Sequence, residues 1–120
     1  MYDQAITSLI NDLYDRGLDK KVLLIVTGEF GRTPKINATA GRDHWPECSS
    51  VLLMGGGVQG AAVYGASDRI GAFPASSPCT PGDLAATIFW RFGINPATEM
   101  RDQSNRPYTL AAGEPISRLF

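Results

Sequence analysis

The sequence has one histidine, two cysteines and no long hydrophobic run, and each scarcity excludes a class of protein. Cys48 and Cys79 are too few for a disulfide scaffold and lack the C-x-x-C spacing of zinc and redox sites, although a single bridge between them stays open. The longest apolar run, residues 22–26, is too short to span a bilayer, and polar residues rather than a signal peptide follow Met1. As written, the chain is therefore predicted to be cytoplasmic, without a membrane partner.

An excess of charge of either sign is also missing, because 11 Lys and Arg stand against 12 Asp and Glu among 120 residues. This balance leaves no broad basic surface for phosphate backbones and excludes sequence-independent nucleic-acid binding. A chain of this length with 43% hydrophobic residues can form one domain with an ordinary core. Its 13 glycines and 8 prolines crowd into the central and C-terminal stretches, which predicts a loop-rich structure.

Hydrophobic spacing divides this domain into a few elements. Ile6, Leu9, Ile10 and Leu13 repeat as they would on one face of a helix, and Thr80 before Pro81 is typical of a helix N-terminus. Two continuous apolar runs are typical of strands covered on both faces, so a parallel sheet with helices on its faces is expected. The predicted elements are a helix over 2–17, a strand over 22–27, a site loop over 28–49, a strand over 50–54, a helix over 81–92 and an extended tail over 95–120.

The segment after the first predicted strand carries charged residues between glycines. Glu29 and Arg32 lie in the string Gly28-Glu29-Phe30-Gly31-Arg32-Thr33-Pro34. Ligands of open parallel sheets bind beyond the carboxyl ends of the strands, so both side chains are expected where an active site would be built. The alternative is a glycine-bounded turn with a solvated Glu and Arg.

The only histidine lies further along the same loop, in Gly41-Arg42-Asp43-His44-Trp45-Pro46. A neutral imidazole and a carboxylate suit a divalent metal, and Glu29 could complete a mixed nitrogen and oxygen site. In the alternative interpretation, which composition alone favours, His44 anchors the loop to the core beside Trp45 and Asp43 caps a turn.

A glycine-rich segment, residues 55–60, fits the G-x-G-x-x-G pattern of dinucleotide-binding proteins. That pattern should open a helix, whereas residues 61–65 carry no helical apolar stripe, and no acidic residue ends a second strand about twenty positions on. A glycine-rich turn is expected instead. No G-x-S-x-G elbow occurs, so the sequence does not indicate a serine nucleophile.

Several of these strings together resemble one family. Residues 22–37, with Glu-Phe-Gly-Arg-Thr-Pro, and residues 41–46 closely resemble the C-terminal part of an uncharacterised bacterial family, domain-of-unknown-function family 1501. This family is often described as sulfatase-like and placed in the alkaline phosphatase superfamily. Residues 55–65, the helix from Thr80 and residues 106–107 and 113–116 extend the resemblance over nearly the whole chain.

The resemblance implies an α/β fold, the loop-rich C-terminal portion of a doubly wound, mainly parallel sheet of alkaline phosphatase and sulfatase type. Superfamily members hydrolyse sulfate or phosphate esters at divalent cations, so zinc or calcium is implied. The residues implied are Glu29, Asp43 and His44 as metal ligands and Arg32 and Arg42 as anion-binding groups.

The resemblance also implies what this chain does not carry. Phe30 departs from the superfamily pattern, because it stands where superfamily members have a histidine ligand. Superfamily members carry the nucleophile in an N-terminal portion of a longer chain, and full-length relatives look exported. The chain is therefore expected to be a C-terminal fragment.

Two functions follow from these observations. The first is the metal-site-bearing part of a sulfatase- or phosphatase-like hydrolase, inactive without the N-terminal portion. The alternative is a non-catalytic binding or scaffold module of the same fold, in which Glu29, Arg32 and Asp43 form a salt-bridge cluster and His44 anchors the loop. A truncated sheet would also expose a strand edge, which predicts self-association.

Overall fold

The computed structural model describes residues 2–120, which form two compact units: residues 2–76 together with Phe120, and residues 77–119. The first unit contains α1 (Tyr2–Asp15), β1 (Leu23–Val26), β2 (Gly31–Arg32), β3 (His44–Trp45), β4 (Leu52–Gly55), β5 (Ala66–Ser67) and β6 (Pro74–Ser76). The second contains α2 (Pro81–Arg91), β7 (Glu99–Arg101), β8 (Pro107–Thr109) and a 3₁₀ turn, Ser117–Leu119. None of the described helices has the length and apolar character needed to cross a membrane.

The first helix, α1, ends two residues before a glycine with a left-handed backbone. Gly17 has a φ of 65°, and its N–H donates to the carbonyl of Tyr14 at 2.9 Å. The N–H of Leu18 donates to the carbonyl of Leu13 at 2.8 Å. These two bonds form a Schellman motif, which satisfies carbonyls that the helix end would otherwise leave unpaired.

The two apolar runs form an antiparallel ladder rather than part of a parallel sheet. Its register runs from Leu23 opposite Gly55 to Val26 opposite Leu52. Every sheet among the described residues is an antiparallel pair of two strands. The expected doubly wound, mainly parallel sheet is therefore wrong, and the described residues form a small, loop-rich mixture of helices and short antiparallel ladders.

The connection between β1 and β4 explains this antiparallel pairing. A parallel partner needs a crossover that returns the chain to the other end of the ladder, usually through a helix. Residues 27–51 include Gly28, Pro34 and Pro46 and contain no helix. The chain therefore leaves β1 and enters β4 at the same end of the ladder. The site loop starts and finishes at that end.

The glycine-rich segment after β4 is a tight turn. Gly55, Gly56 and Gly57 have φ values of 72°, 57° and 89°, a conformation that L side chains rarely adopt. A Cβ on Gly55 would collide with the carbonyl oxygen of Val22, and the N–H of Gly56 donates to the carbonyl of Asp19 at 2.7 Å. These glycines let the chain pass close to the turn that precedes β1.

Few apolar side chains of the first unit are buried. Among its described residues, Leu13 and Ala72 are the buried hydrophobic ones, with 8% and 5% exposure. All four residues of β1 are half-buried, and Leu52 at the start of β4 is 47% exposed. Strands whose composition is typical of a two-sided core thus lie partly open, because a two-stranded ladder covers neither its faces nor its outer edges.

In the second unit, α2 begins with a complete capping box. The Thr80 hydroxyl accepts the N–H of Asp83 at 3.2 Å, and the Asp83 carboxylate accepts the N–H of Thr80 at 2.7 Å. Thr87 on the same helix is 1% exposed; its hydroxyl donates to the carbonyl of Asp83 and accepts the N–H of Ile116 at 2.9 Å. The helix thereby holds the segment that follows the β7–β8 hairpin.

Residues 95–120, expected to be an extended tail, contain the β7–β8 hairpin. The turn between these strands is built by Asp102, whose carboxylate accepts the N–H of Ser104 at 2.8 Å and the N–H of Arg106 at 3.0 Å. The guanidinium of Arg106 also donates to Asp102 at 2.7 Å. Periodicity missed the hairpin because each strand has only three residues and the turn depends on one side chain.

Candidate functional site

The short β2–β3 pair brings a predicted anion-binding residue and the only histidine together. Arg32 lies opposite His44 in the antiparallel register, and Gly31 lies opposite Trp45. Residues directly opposite each other in an antiparallel pair share one face, so Arg32 and His44 project to the same side. Both side chains are exposed, which leaves their donor groups accessible to a solute.

Phe30 forms the floor of this exposed face. Its ring stacks on the imidazole of His44, with centroids 3.9 Å apart and planes inclined by 29°. The guanidinium carbon of Arg32 lies 5.7 Å from the centroid of the same ring. Phe30 therefore contacts both polar groups. We call Phe30, Arg32 and His44 the Arg–Phe–His cluster.

The opposite face of the pair is anchored to the rest of the unit by Trp45. Its indole N–H donates to the carbonyl of Ala72 at 2.6 Å, and its ring meets Phe73 edge-on with centroids 5.5 Å apart. Gly31, its cross-strand partner, leaves no room for a side chain, because a Cβ there would collide with the carbonyl oxygen of Cys48. The anchored face explains why His44, one residue earlier, points away from these contacts.

Asn37 closes the loop between β2 and β3. Its side-chain oxygen accepts the N–H of Thr39 at 3.1 Å, the Thr39 hydroxyl at 2.9 Å and the N–H of Gly41 at 2.9 Å. Its side-chain nitrogen donates to Oδ1 of Asp43 at 2.9 Å. Sequence reasoning missed Asn37, although asparagine followed by threonine two positions later is typical of a side-chain-closed turn.

The two arginines of the site loop have different surroundings. Nη1 of Arg42 donates to the carbonyls of Thr33 and Pro34 at 2.8 and 2.7 Å, so this guanidinium bridges the base of the loop. Nη1 of Arg32 donates to the carbonyl of Arg42 at 3.2 Å. The remaining guanidinium nitrogens of Arg32 have no protein partner among the described residues.

The predicted metal ligands do not converge. Among residues 2–120, no three His, Cys, Asp or Glu side chains are placed to hold a metal ion together. Oδ1 of Asp43 accepts the side-chain N–H of Asn37, and the ring of His44 stacks on Phe30. The described residues therefore do not fit a three-ligand zinc or calcium site.

The salt-bridge cluster expected from the alternative hypothesis is not formed either. Ion pairs in the described part of the chain include Asp12 with Arg16, Glu99 with Arg101, and Asp102 with Arg106, and none joins Glu29, Arg32 or Asp43. Asp43 holds the loop through Asn37 and through its backbone, whose N–H donates to the Thr33 hydroxyl at 3.1 Å. The loop is thus held by hydrogen bonds, one of them to the Asp43 carboxylate and two from the Arg42 guanidinium, and not by an ion pair between these residues.

Comparison with known proteins gives one match. A family profile described as "Protein of unknown function (DUF1501)" covers residues 1–120. No curated protein and no solved structure shows significant similarity to the chain. Since the profile spans the full sequence, the chain belongs to the DUF1501 family.

Proposed function

We propose that this chain binds sulfate or phosphate esters and serves as the oxyanion-binding part of a sulfatase- or phosphatase-like hydrolase. The observation that carries the proposal is the cross-strand placement of Arg32 and His44 on one exposed face. Arginine suits tetrahedral oxyanions because its planar nitrogens form paired, charge-assisted hydrogen bonds. An imidazole N–H beside it supplies a further donor.

Preorganisation supports this assignment. The Arg32 guanidinium is held by the Arg42 carbonyl at one nitrogen, and the His44 ring is held by its stack on Phe30. Both groups are thus restrained before a ligand arrives, which reduces the entropy lost on binding. Arg42 supports the site as the residue that positions Arg32, since its own Nη1 donates to two loop carbonyls.

Turnover by the 120-residue chain is not part of the proposal. The covalent route of the hydrolases that it resembles needs an activated nucleophile, which the resemblance assigns to an N-terminal portion of longer relatives. The export implied for those relatives would place the ester outside the cytoplasm. We therefore expect ester binding without hydrolysis by this chain.

A second candidate is a non-catalytic binding module. It is favoured by Asp43, whose Oδ1 accepts the side-chain N–H of Asn37 and so gives this carboxylate a structural role in closing the site loop. The two candidates give different expectations for a full-length relative. If the chain is part of a hydrolase, the substitution equivalent to Arg32→Gln should abolish hydrolysis of aryl sulfate or phosphate by that relative. A binding module predicts binding without turnover there too.

The experiment is a titration of the purified chain with inorganic sulfate, inorganic phosphate and phenyl phosphate, followed by amide and arginine side-chain NMR signals. We expect saturable shifts at Phe30, Arg32 and His44, and Arg32→Gln should weaken binding about tenfold or more, as expected for a lost charge-assisted bond. Arg69→Gln is the matched control, because Arg69 is an exposed arginine of the same unit. Absence of saturable shifts, or equal effects of the two substitutions, would overturn the proposal.

A further inference from the structure

We infer that the ligand of this chain is the sulfate or phosphate monoester of an aliphatic alcohol, whose alkyl chain lies in an open groove at the end of the β1–β4 ladder. The inference rests on the proposed function and specifies the alcohol part of its ester. Val51 and Leu52 are the residues that determine this specificity.

The groove lies where the site loop starts and finishes. Its volume is about 480 Å³, within the range of small-molecule sites. Val51 and Leu52 in its wall are 39% and 47% exposed, so much of their aliphatic surface contacts water. A ligand that covers this surface gains affinity from hydrophobic burial. The lining residues are Val26, Thr27, Gly28, Ser50, Val51 and Leu52.

The chemistry of the lining favours an alkyl chain over an aromatic ring or a sugar. None of the six residues is aromatic, so an aryl group has no ring to stack on, and none is charged. The Thr27 hydroxyl donates to the carbonyl of Gly28 at 3.0 Å, so its proton is already used. Ser50 is then the one lining side chain with a hydroxyl proton to offer, which is too few for the several hydroxyls of a sugar. An aliphatic chain needs no polar partner.

The groove is continuous with the strand pair that carries the Arg–Phe–His cluster. Gly28 lines the groove, and a Cβ on it would lie 3.6 Å from the carbonyl oxygen of Phe30. On the other side, Ser50 follows Cys48 by two residues, and the Cys48 carbonyl lies so close to Gly31 in β2 that no side chain fits there. Two residues span at most about 7 Å. Both sides of the groove therefore lead to β2 and β3.

The separation between the groove and Arg32 sets the length of the alcohol. Arg32 follows Gly28 by four residues, so their Cα atoms are at most about 14 Å apart. A methyl ester held at Arg32 stays at the cluster, whereas a longer alkyl chain reaches the groove and covers the exposed surface of Val51 and Leu52. Affinity should therefore increase with the length of the alkyl chain.

The first test titrates the purified chain with inorganic phosphate and with methyl, butyl, hexyl and octyl phosphate under identical salt. Each methylene fully removed from water strengthens binding about fourfold, and an open groove removes part of each, so octyl phosphate should bind about tenfold or more tightly than methyl phosphate. Val51→Ser should remove most of this gain and leave the affinity for inorganic phosphate unchanged. Val63→Ser is the matched control, since Val63 is 91% exposed and does not line the groove.

The outcomes of this titration separate the inference from the proposed function. If inorganic phosphate binds and affinity does not change along the alkyl series, the inference alone is overturned. If inorganic phosphate does not bind, the proposed function is overturned and the inference with it. Equal effects of Val51→Ser and Val63→Ser on the alkyl series, or octyl phosphate affinity that Arg32→Gln leaves unchanged, would overturn the inference as well.

The second test uses the unsubstituted chain and so does not depend on the folding of a variant. Intermolecular nuclear Overhauser effects should connect the alkyl protons of bound octyl phosphate with the methyl groups of Val26, Val51 and Leu52. The methyl groups of Val63 should show none. Effects confined to methyl groups outside the groove, or equally strong at Val63, would overturn the inference.

Discussion

Oδ1 of Asp83 accepts the backbone N–H of Glu114 at 2.8 Å, so one carboxylate joins the first turn of α2 to the segment after the β7–β8 hairpin. Its other oxygen accepts the N–H and the hydroxyl of Thr80, each at 2.7 Å. A capping box ordinarily serves only its own helix. Here it also fixes the return of the chain, and Gly113 makes this possible because a Cβ there would collide with the backbone of Gly82 and Asp83.

Asp83→Ala should therefore destabilise the second unit more than an ordinary cap deletion. Loss of the cap costs about 1 kcal/mol and the orphaned Glu114 amide about 1 kcal/mol more, so we expect the free energy of unfolding to fall by about 2 kcal/mol. Urea unfolding followed by circular dichroism measures the change, and hydrogen exchange of the Glu114 amide should accelerate. Glu114→Ala is the control, because the contact uses only its backbone. Unchanged exchange at residue 114 in Asp83→Ala would contradict this account.

Acid should lower the stability of the second unit by protonating two carboxylates, those of Asp83 and Asp102. The backbone N–H of Thr80, then that of Glu114, then the Thr80 hydroxyl lower the pKa of Asp83 below its ordinary 3.8. The backbone N–H of Arg106 is the main cause that lowers the pKa of Asp102. A lowered pKa in the folded state means that ionisation stabilises the fold.

The stabilisation from these two groups is complete above the ordinary carboxyl pKa and is lost as the pH falls through the lower folded values. We expect the urea concentration at the unfolding midpoint of the second unit to be independent of pH near neutrality and to decrease as the pH is lowered below about 4. Asp83→Asn/Asp102→Asn should lower the midpoint near neutrality and flatten the acid limb. An acid limb as steep as that of the wild type would contradict the assignment to these carboxylates.

Gly31→Ala should displace the Arg–Phe–His cluster although it changes none of the three side chains of the cluster. The added Cβ would collide with the Cys48 carbonyl, so β2 must shift relative to the rest of the unit. We expect the cross-peaks of the Phe30–His44 stack to disappear and phosphate affinity to fall about tenfold or more. Gly28→Ala is the matched control, because a Cβ there meets only the Phe30 carbonyl at an ordinary 3.6 Å. Equal affinity of the two variants would show that the cluster tolerates the shift.

Local signals in the sequence predict the helix termini and the strand-forming runs, but not how the strands pair. The N-terminus of α2 is specified by Thr80, Pro81 and Asp83 within one turn. The apolar run of β1 specifies a strand and its burial preference, whereas strand direction depends on the connection. Because residues 27–51 form no helix, the chain returns antiparallel. A continuous apolar run is compatible with either direction, and the parallel expectation failed for that reason.

The residues of the site could be predicted from the sequence, but their positions relative to one another could not. Arg32 and His44 could be selected from the sequence as polar residues in a long loop, but their alignment could not. It depends on a two-residue ladder whose register is set by Asn37 and Trp45, neither of which carries the chemistry. The stack of His44 on Phe30 could not be predicted either, because Phe30 stands in the sequence only as a residue unable to ligate a metal where the superfamily has a histidine.

The hydrogen bond between Asn37 and Asp43 gives the most direct test of how the site loop is held. In Asn37→Asp, two carboxylates replace a donor–acceptor pair, so the loop should open and phosphate affinity should fall about fivefold. Asn37→Asp/Asp43→Asn exchanges the donor and the acceptor of this hydrogen bond, so phosphate affinity should recover. The three groups that donate to the side-chain oxygen of residue 37 keep an oxygen acceptor in both variants. Titration of each variant with inorganic phosphate under identical salt measures this. Recovery in the exchanged pair assigns the effect to the Asn37–Asp43 contact, whereas equal weakening of the single and double variants would show that Asp43 acts at the site for another reason.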